Sequence, residues 1–201
     1  MVSSKFKERL EKIVSKKVEL LSKLGLTPNT ITIMGLFSSL ISAWCYTKWS
    51  ENLLFLPVAS ALLIFSGFLD SIDGILARLS GETSEFGAFL DSISDRYSDA
   101  IILSSITISG LCHFFWGLSA IIGTLMVSYA RARAETLGVE MAAVGFAERA
   151  ERILIISAIT FAAYFRLDFL NYGVAALTVI VHITVLQRAA HFYRKITHKC
   201  N

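Results

Sequence analysis

Residues 70–95 read DSIDGILARLSGETSEFGAFLDSISD. Asp70 and Asp73 lie three residues apart, and Asp91 and Asp95 four apart, so each pair shares one face of a helix. The flanking segments are apolar enough to lie in a membrane, where a centrally placed charge costs about 2.5–3.5 kcal/mol on insertion scales. Gly81 to Ser84 is a polar turn, with Ser84 placed as the N-cap of the next helix. With the turn centred on residues 81–83, Asp73 and Asp91 each fall about nine residues from it, roughly 14 Å along a helix. Asp70 and Asp95 fall about one turn deeper. Two antiparallel helices therefore bring four carboxylates to similar depth.

The rest of the chain supplies the membrane context. Of 201 residues 54% are hydrophobic and 17% charged, against about 25% charged in an ordinary soluble domain. Apolar runs of about 20 residues recur between polar blocks, each long enough to cross a bilayer. The expected fold is an all-α integral membrane protein: six transmembrane helices preceded by an amphipathic surface helix. Spans are expected near 29–47, 54–80, 85–109, 114–130 (continuing as a polar helix to Gly138), 147–165 and 172–190, followed by a basic tail. Thr27 and Pro28 open the first span as a capping hydroxyl and a proline at the first helical position. Residues 3–24 place Phe6, Leu10, Ile13, Val14, Leu20, Leu21 and Leu24 on one helical face and most lysines on the other. They form a juxtamembrane helix suited to anionic headgroups, or one packed on the cytoplasmic face of the bundle. The domain division is then 1–25 for this helix and 26–201 for the membrane domain. Seven Lys/Arg within residues 1–23 leave no apolar core for a signal peptide.

Lysine and arginine set the orientation. Sixteen of the 19 fall in the termini and the loops on one side; Lys48 and Arg166 fall on the other, and Arg96 lies within the third span. By the positive-inside rule, both termini and the turn of the acidic hairpin face the cytoplasm, in a multi-pass protein of the cell membrane. Cys45, Cys112 and Cys200 have no ligand spacing.

An all-carboxylate cluster, with no His or Cys in it, suits a hard cation such as Mg²⁺ or Mn²⁺. Four carboxylates exceed the charge of one divalent ion, and two ions sharing a bridging carboxylate suit phosphoryl or nucleotidyl transfer. Gly74 and Ala77 open a groove beside the first acid pair, and Gly87 does so on the facing helix. Arg78 is placed to meet phosphate. Pairing with Arg78 and Arg96 cannot balance four acids and Asp99. A divalent-cation transporter is the alternative of another class, but it would string the acids across the membrane rather than gather them near one face.

The pattern Asp70-x2-Asp73-Gly74-x2-Ala77-Arg78-x8-Gly87-x3-Asp91-x3-Asp95 resembles the signature of the CDP-alcohol phosphotransferase family at all eight positions. The resemblance extends over essentially the whole chain. It implies a CDP-lipid (CDP-archaeol or CDP-diacylglycerol) bound by its pyrophosphate to metal, attack of an acceptor hydroxyl on the lipid-side phosphorus, and departure of CMP. It implies that Asp70, Asp73, Asp91 and Asp95 ligate metal and that Asp95 is the catalytic general base. Gly74, Ala77 and Arg78 line the CDP site with Asp70, Asp73 and Gly87. A homodimer is implied by the resemblance alone; membrane lipids are expected neighbours and nucleic acid is not an expected partner.

A second constellation bears on the acceptor. Arg131 and Arg133 lie in SYARARAE, Arg149 and Arg152 in AERAER, and Arg188 in VLQRAA. Arginines from three helices suit a phosphate, gripped bidentately. With the donor's phosphates on metal, a separate basic pocket points to an acceptor that is itself phosphorylated. These elements resemble the branch of the family that transfers onto inositol phosphate, although that branch often has lysine at position 131 and proline at position 150. The resemblance implies myo-inositol 1-phosphate as acceptor, held by Arg131, Arg149, Arg152 and Arg188. The runner-up is glycerol 3-phosphate, as in a phosphatidylglycerophosphate-type synthase. His182 and His191 read as packing residues, and Trp44, Trp49 and Trp116 as an outer aromatic belt. An Arg96–Asp99 ion pair is expected to orient the third helix, and Ser38, Ser39, Ser42 and Ala43 to allow close helix packing.

Overall fold

A computed structural model describes residues 25–146 and 148–199. The expected surface helix over 3–24 lies outside the described residues. Among the described residues six α-helices run in order: α1 (Pro28–Thr47), α2 (Phe55–Ser80), α3 (Glu85–Ile108), α4 (Phe114–Thr136), α5 (Arg149–Ala163) and α6 (Asp168–Lys199). Their boundaries reflect local chemistry. Thr27 caps α1 by accepting from the Thr30 amide, with proline in the first turn. Ser84 caps α3 by accepting from the Gly87 amide. α2 ends at Gly81, whose φ of +70° is the left-handed conformation that glycine adopts without strain. Glu148 and Glu151 form a reciprocal capping box at the start of α5.

Among the described residues four helices are long and apolar enough to cross a membrane: α1, α2, α4 and α6. α3 falls short because it carries Glu85, Asp91, Asp95, Arg96 and Asp99, and α5 because it has only 15 residues. α6 is longer than expected. The basic tail continues the helix to Lys199 instead of leaving it near residue 190. At 1.5 Å per residue its 32 residues outrun the roughly 30 Å hydrocarbon layer, so the charged last turns project beyond it.

Close contacts run round a ring, α1–α2–α5–α6–α4–α3 and back to α1. The two helices of the acidic hairpin are not close-packed neighbours in this ring, contrary to the simple picture of an adjacent pair. α1 packs against both, and α2 and α3 face each other across a gap. The main apolar core fills the end of the ring away from the hairpin turn. It holds Tyr46 from α1, Leu56 from α2, Ile102, Leu103 and Ile106 from α3, and Leu170, Val174 and Leu177 from α6. Nearer the hairpin turn a smaller apolar cluster of Ile31, Leu69, Ile72, Ile75 and Leu76 packs α1 on α2 beside the polar side chains. On the outside, Phe37, Trp44, Ile108, Phe165 and Leu186 are exposed, forming the apolar surface expected of a protein seated in lipid.

Helix seams are joined by small polar residues. Ser38 Oγ donates to Leu62 O and Ser42 Oγ to Ala59 O, both at 2.8 Å, and Ser39 and Ser66 share a hydroxyl contact of 2.8 Å. The expected close-packing role of this serine run on α1 is therefore realised through interhelical hydrogen bonds. Ser60 Oγ donates to Ser157 O across α2 and α5, and Tyr46 Oη meets Thr160 Oγ1 at 2.7 Å across α1 and α5.

Candidate active site

The gap between α2 and α3 gathers three of the four signature acids. Carboxylate oxygens of Asp70, Asp91 and Asp95 lie within 4.8 Å of one another. Helical spacing brings them there: Asp91 and Asp95 are one turn apart on α3, and Asp70 faces them from α2. Asp73 stands apart from this trio. It is buried, and its Oδ2 accepts a 2.6 Å hydrogen bond from Thr32 Oγ1 on α1. Thr32 closes the gap on its third side, a consequence of α1 packing against both α2 and α3.

Beside the acids lies a cleft of about 230 Å³ that reaches the hairpin turn. Asp73, Gly74, Ala77, Arg78, Gly87 and Asp91 line it, so the groove expected from small residues exists. A Cβ at Gly74 would meet only Arg78 Nη1, at 3.6 Å, which leaves the backbone open to a bulky group. Asn29, Thr32 and Ser84 line the same cleft, beyond the residues expected there. The signal for Asn29 and Thr32 was the polar sequence TPNTIT at the start of an apolar span, and that for Ser84 its place at the end of the hairpin turn; both read first as capping.

The arginines behave differently from a free basic cluster. Arg149, at the first position of α5, places Nη1 2.5 Å from Asp70 Oδ1 and 2.9 Å from Asp95 Oδ1. Arg152 is buried, with Nη2 2.5 Å from Asp99 Oδ2. Arg96 does not pair with Asp99 as expected. Its Nη1 lies 3.6 Å from Asp95 Oδ2 and donates to Ser92 O at 2.6 Å. Position explains the exchange: Asp99 is buried on the face turned to α5, while Arg96 is partly exposed. Arg188 is buried and donates from Nε to Val144 O at 2.9 Å and from Nη1 to Val127 O at 2.6 Å. It thereby ties α6 to α4 and to the loop before α5. Arg131 is exposed and paired with Glu135 at 2.9 Å, and Arg133 is exposed on the same helix. Arg131 and Arg152 are close enough to Arg188 to interact with it electrostatically, as are Glu135 and Glu148.

The donor set fits a hard divalent cation. It is made of carboxylates alone, and Asp91 Oδ1 is buried without a hydrogen-bond partner among the described residues. Such an orphaned acceptor is costly unless a cation meets it.

Residues 25–186 match the family model of CDP-alcohol phosphatidyltransferases. The chain is 38% identical over 185 residues to the archaetidylinositol phosphate synthase of Pyrococcus horikoshii, covering 92% of this chain and 93% of that one. Among solved structures, it resembles the phosphatidylinositol phosphate synthase of Mycobacterium tuberculosis with CDP-DAG bound. The TM-score is 0.76 at 27% identity, covering 90% of this chain and 94% of the other. The same enzyme in complex with manganese and citrate matches with a TM-score of 0.77 at 27% identity, covering 89% and 88% of the two chains. On the family match over residues 25–186 and the identity to the Pyrococcus horikoshii relative, the chain belongs to the CDP-alcohol phosphatidyltransferase family.

Proposed function

We propose that the protein transfers a lipid phosphatidyl-type group, archaetidyl or phosphatidyl, from a CDP-lipid to myo-inositol 1-phosphate, releasing CMP. The observation that carries this reading is the convergence of Asp70, Asp91 and Asp95 beside a cleft lined by Gly74, Ala77, Arg78 and Gly87. Asp70, Asp73, Asp91 and Asp95 would hold Mg²⁺ or Mn²⁺, in our reading two ions. When bound, such ions neutralise the donor pyrophosphate and stabilise the charge that builds up as CMP leaves. The chain's own residues do the rest. Gly74 and Gly87 let the nucleotide approach the helix backbones, and Arg78 offers a guanidinium to its phosphates. Asp95 accepts the proton of the acceptor hydroxyl as its oxygen attacks the lipid-side phosphorus. The new P–O bond forms while the bond to the bridging oxygen breaks, and CMP carries away the electron pair. The lipid tails remain outside the ring against the apolar surface.

Arg131, Arg149, Arg152 and Arg188 are the acceptor side of the proposal. Two observations support this: Arg149 touches Asp70 and Asp95, and Arg131 and Arg152 lie within electrostatic range of Arg188. The relative from Pyrococcus horikoshii and the Mycobacterium tuberculosis enzyme are both inositol phosphate lipid synthases by name, which favours inositol phosphate over glycerol 3-phosphate. In this reading all six helices cross the membrane, α3 and α5 shielded by their neighbours in the ring. Both termini and the cleft face the cytoplasm, residues 1–25 form a surface helix, and the protein works as a homodimer.

CMP release from the purified protein and a CDP-lipid, with inositol 1-phosphate, glycerol 3-phosphate, serine or inositol offered in parallel, tests this directly. Metal-dependent release with inositol 1-phosphate is expected. Release with glycerol 3-phosphate alone would overturn the acceptor, and no release with any acceptor would overturn the reaction.

A further inference from the structure

The Arg149 guanidinium stands where the carboxylates converge. Its Nη1 contacts Asp70 Oδ1 at 2.5 Å and Asp95 Oδ1 at 2.9 Å, two of the three acids whose oxygens lie within 4.8 Å of one another. A cation touching both acids occupies ground that a divalent ion between them must take. The contact is one of charge more than of direction. Neither Nη1 nor Nε of Arg149 makes an aligned hydrogen bond, although both are buried. Of the neighbouring buried arginines, Arg152 directs Nη2 at Asp99, and Arg188 directs Nε and Nη1 at backbone carbonyls. Arg149 also begins α5, one turn before Arg152 and on the same face.

We propose that Arg149 is the resident counter-cation of the acid cluster, that metal binding expels it, and that the released guanidinium turns to the phosphate of the acceptor. This rests on Asp70, Asp91 and Asp95 being the metal site of the proposed function. In the metal-free protein, clustered carboxylates at membrane depth are costly without a partner, and Arg149 supplies one. A divalent ion brings twice the charge to the same oxygens. Once it is held there, Arg149 is repelled by it and faces the side of α5 that carries Arg152. A phosphomonoester arriving between Arg149 and Arg152 gains a bidentate contact that exists only after the metal is in place. Metal and acceptor then assist each other through one side chain, and linkage requires the assistance to be equal in both directions.

The test is Mn²⁺ binding to the purified protein, read by the electron paramagnetic resonance of free Mn²⁺, without any turnover. R149Q is expected to bind Mn²⁺ more tightly than the unaltered protein, and R149K to stay close to it because the charge is kept. A gain of affinity cannot arise from misfolding. R96Q is the control for a general field effect, since Arg96 approaches Asp95 from outside at 3.6 Å; it is expected to change affinity less than R149Q. Inositol 1-phosphate, and separately glycerol 3-phosphate, are then added. In the unaltered protein the phosphomonoester that serves as acceptor should tighten Mn²⁺ binding, within the roughly 5- to 150-fold range of couplings between sites. In R149Q that tightening should vanish. Unchanged or weaker Mn²⁺ binding in R149Q, equal gains in R149Q and R96Q, or coupling that survives in R149Q would each overturn the proposal. Mn²⁺ binding that persists unaltered in D70N/D91N would instead remove the metal-site reading beneath it.

Discussion

Asp73 shows how one hydroxyl supports a carboxylate that the sequence alone would group with the others. It is 5% exposed, and Thr32 Oγ1 donates to it at 2.6 Å from a different helix. Thr32→Val keeps the shape and removes the donor. A buried acceptor left unpaired costs about 1–3 kcal/mol, so T32V should unfold at a lower temperature in detergent, while T32S stays near the original midpoint. Asp95 makes a different prediction. If it takes the acceptor proton, D95N should lower kcat by about 10²- to 10⁴-fold, the usual worth of general base catalysis. CDP-lipid binding, measured by displacement of a labelled donor, should survive, because Asp70, Asp73 and Asp91 remain. Near-normal turnover in D95N would remove the base from Asp95. At this scale the acids and the groove were legible because spacing alone puts them on facing helices. Thr32 and Asn29 were not, since their role depends on α1 packing against both hairpin helices. Nor was the exchange of partners that joins Arg152 to Asp99 and leaves Arg96 beside Asp95: a short-range pair was expected, and a contact 53 residues apart was formed.

Elements meet through residues whose role depends on what faces them. A Cβ at Gly123 on α4 would lie 2.4 Å from Val181 Cγ2 and 2.9 Å from the His182 ring on α6. One turn further along α4, Val127 O receives the Arg188 guanidinium across the same seam. Gly123→Ala therefore overfills a contact that also anchors a proposed acceptor residue. Overpacking of this kind costs about 1–3 kcal/mol. G123A should lower the unfolding midpoint and raise the KM for the acceptor more than that for the CDP-lipid. Adding V181A should recover part of both losses, a coupling that a double-mutant cycle would detect. Helix boundaries were largely legible, since Thr27, Gly81 and Ser84 carry the capping chemistry that sets them. The length of α6 was not, because a basic tail and a basic last turn of a helix have the same composition. Gly123 was equally silent, since a lone glycine in an apolar helix does not reveal its neighbour, whereas the serine run on α1 announced a close seam by repetition.

For the whole molecule, the ring places a packed apolar core at one end and the polar cleft at the other, and orientation decides which compartment supplies the acceptor. The charge distribution of sixteen Lys/Arg against two argues that the cleft end is cytoplasmic. Ring closure could not be read from the sequence, because hydrophobic periodicity says which face is apolar and not which helix it meets. Orientation, in contrast, is almost wholly a property of the sequence, and it can be tested at single residues. Cys45 and Cys112 are buried, so a C200S background should react little with a membrane-impermeant maleimide. Lys48 lies just past α1 at the core end, and Glu82 is exposed in the hairpin turn at the cleft end. In intact cells K48C should be labelled and E82C should not. After permeabilisation both should react. Labelling of E82C from outside would invert the protein in the membrane. It would also place the carboxylate cluster on the side away from the cytoplasmic pool of CDP-activated lipid and phosphorylated acceptor that the proposed reaction requires.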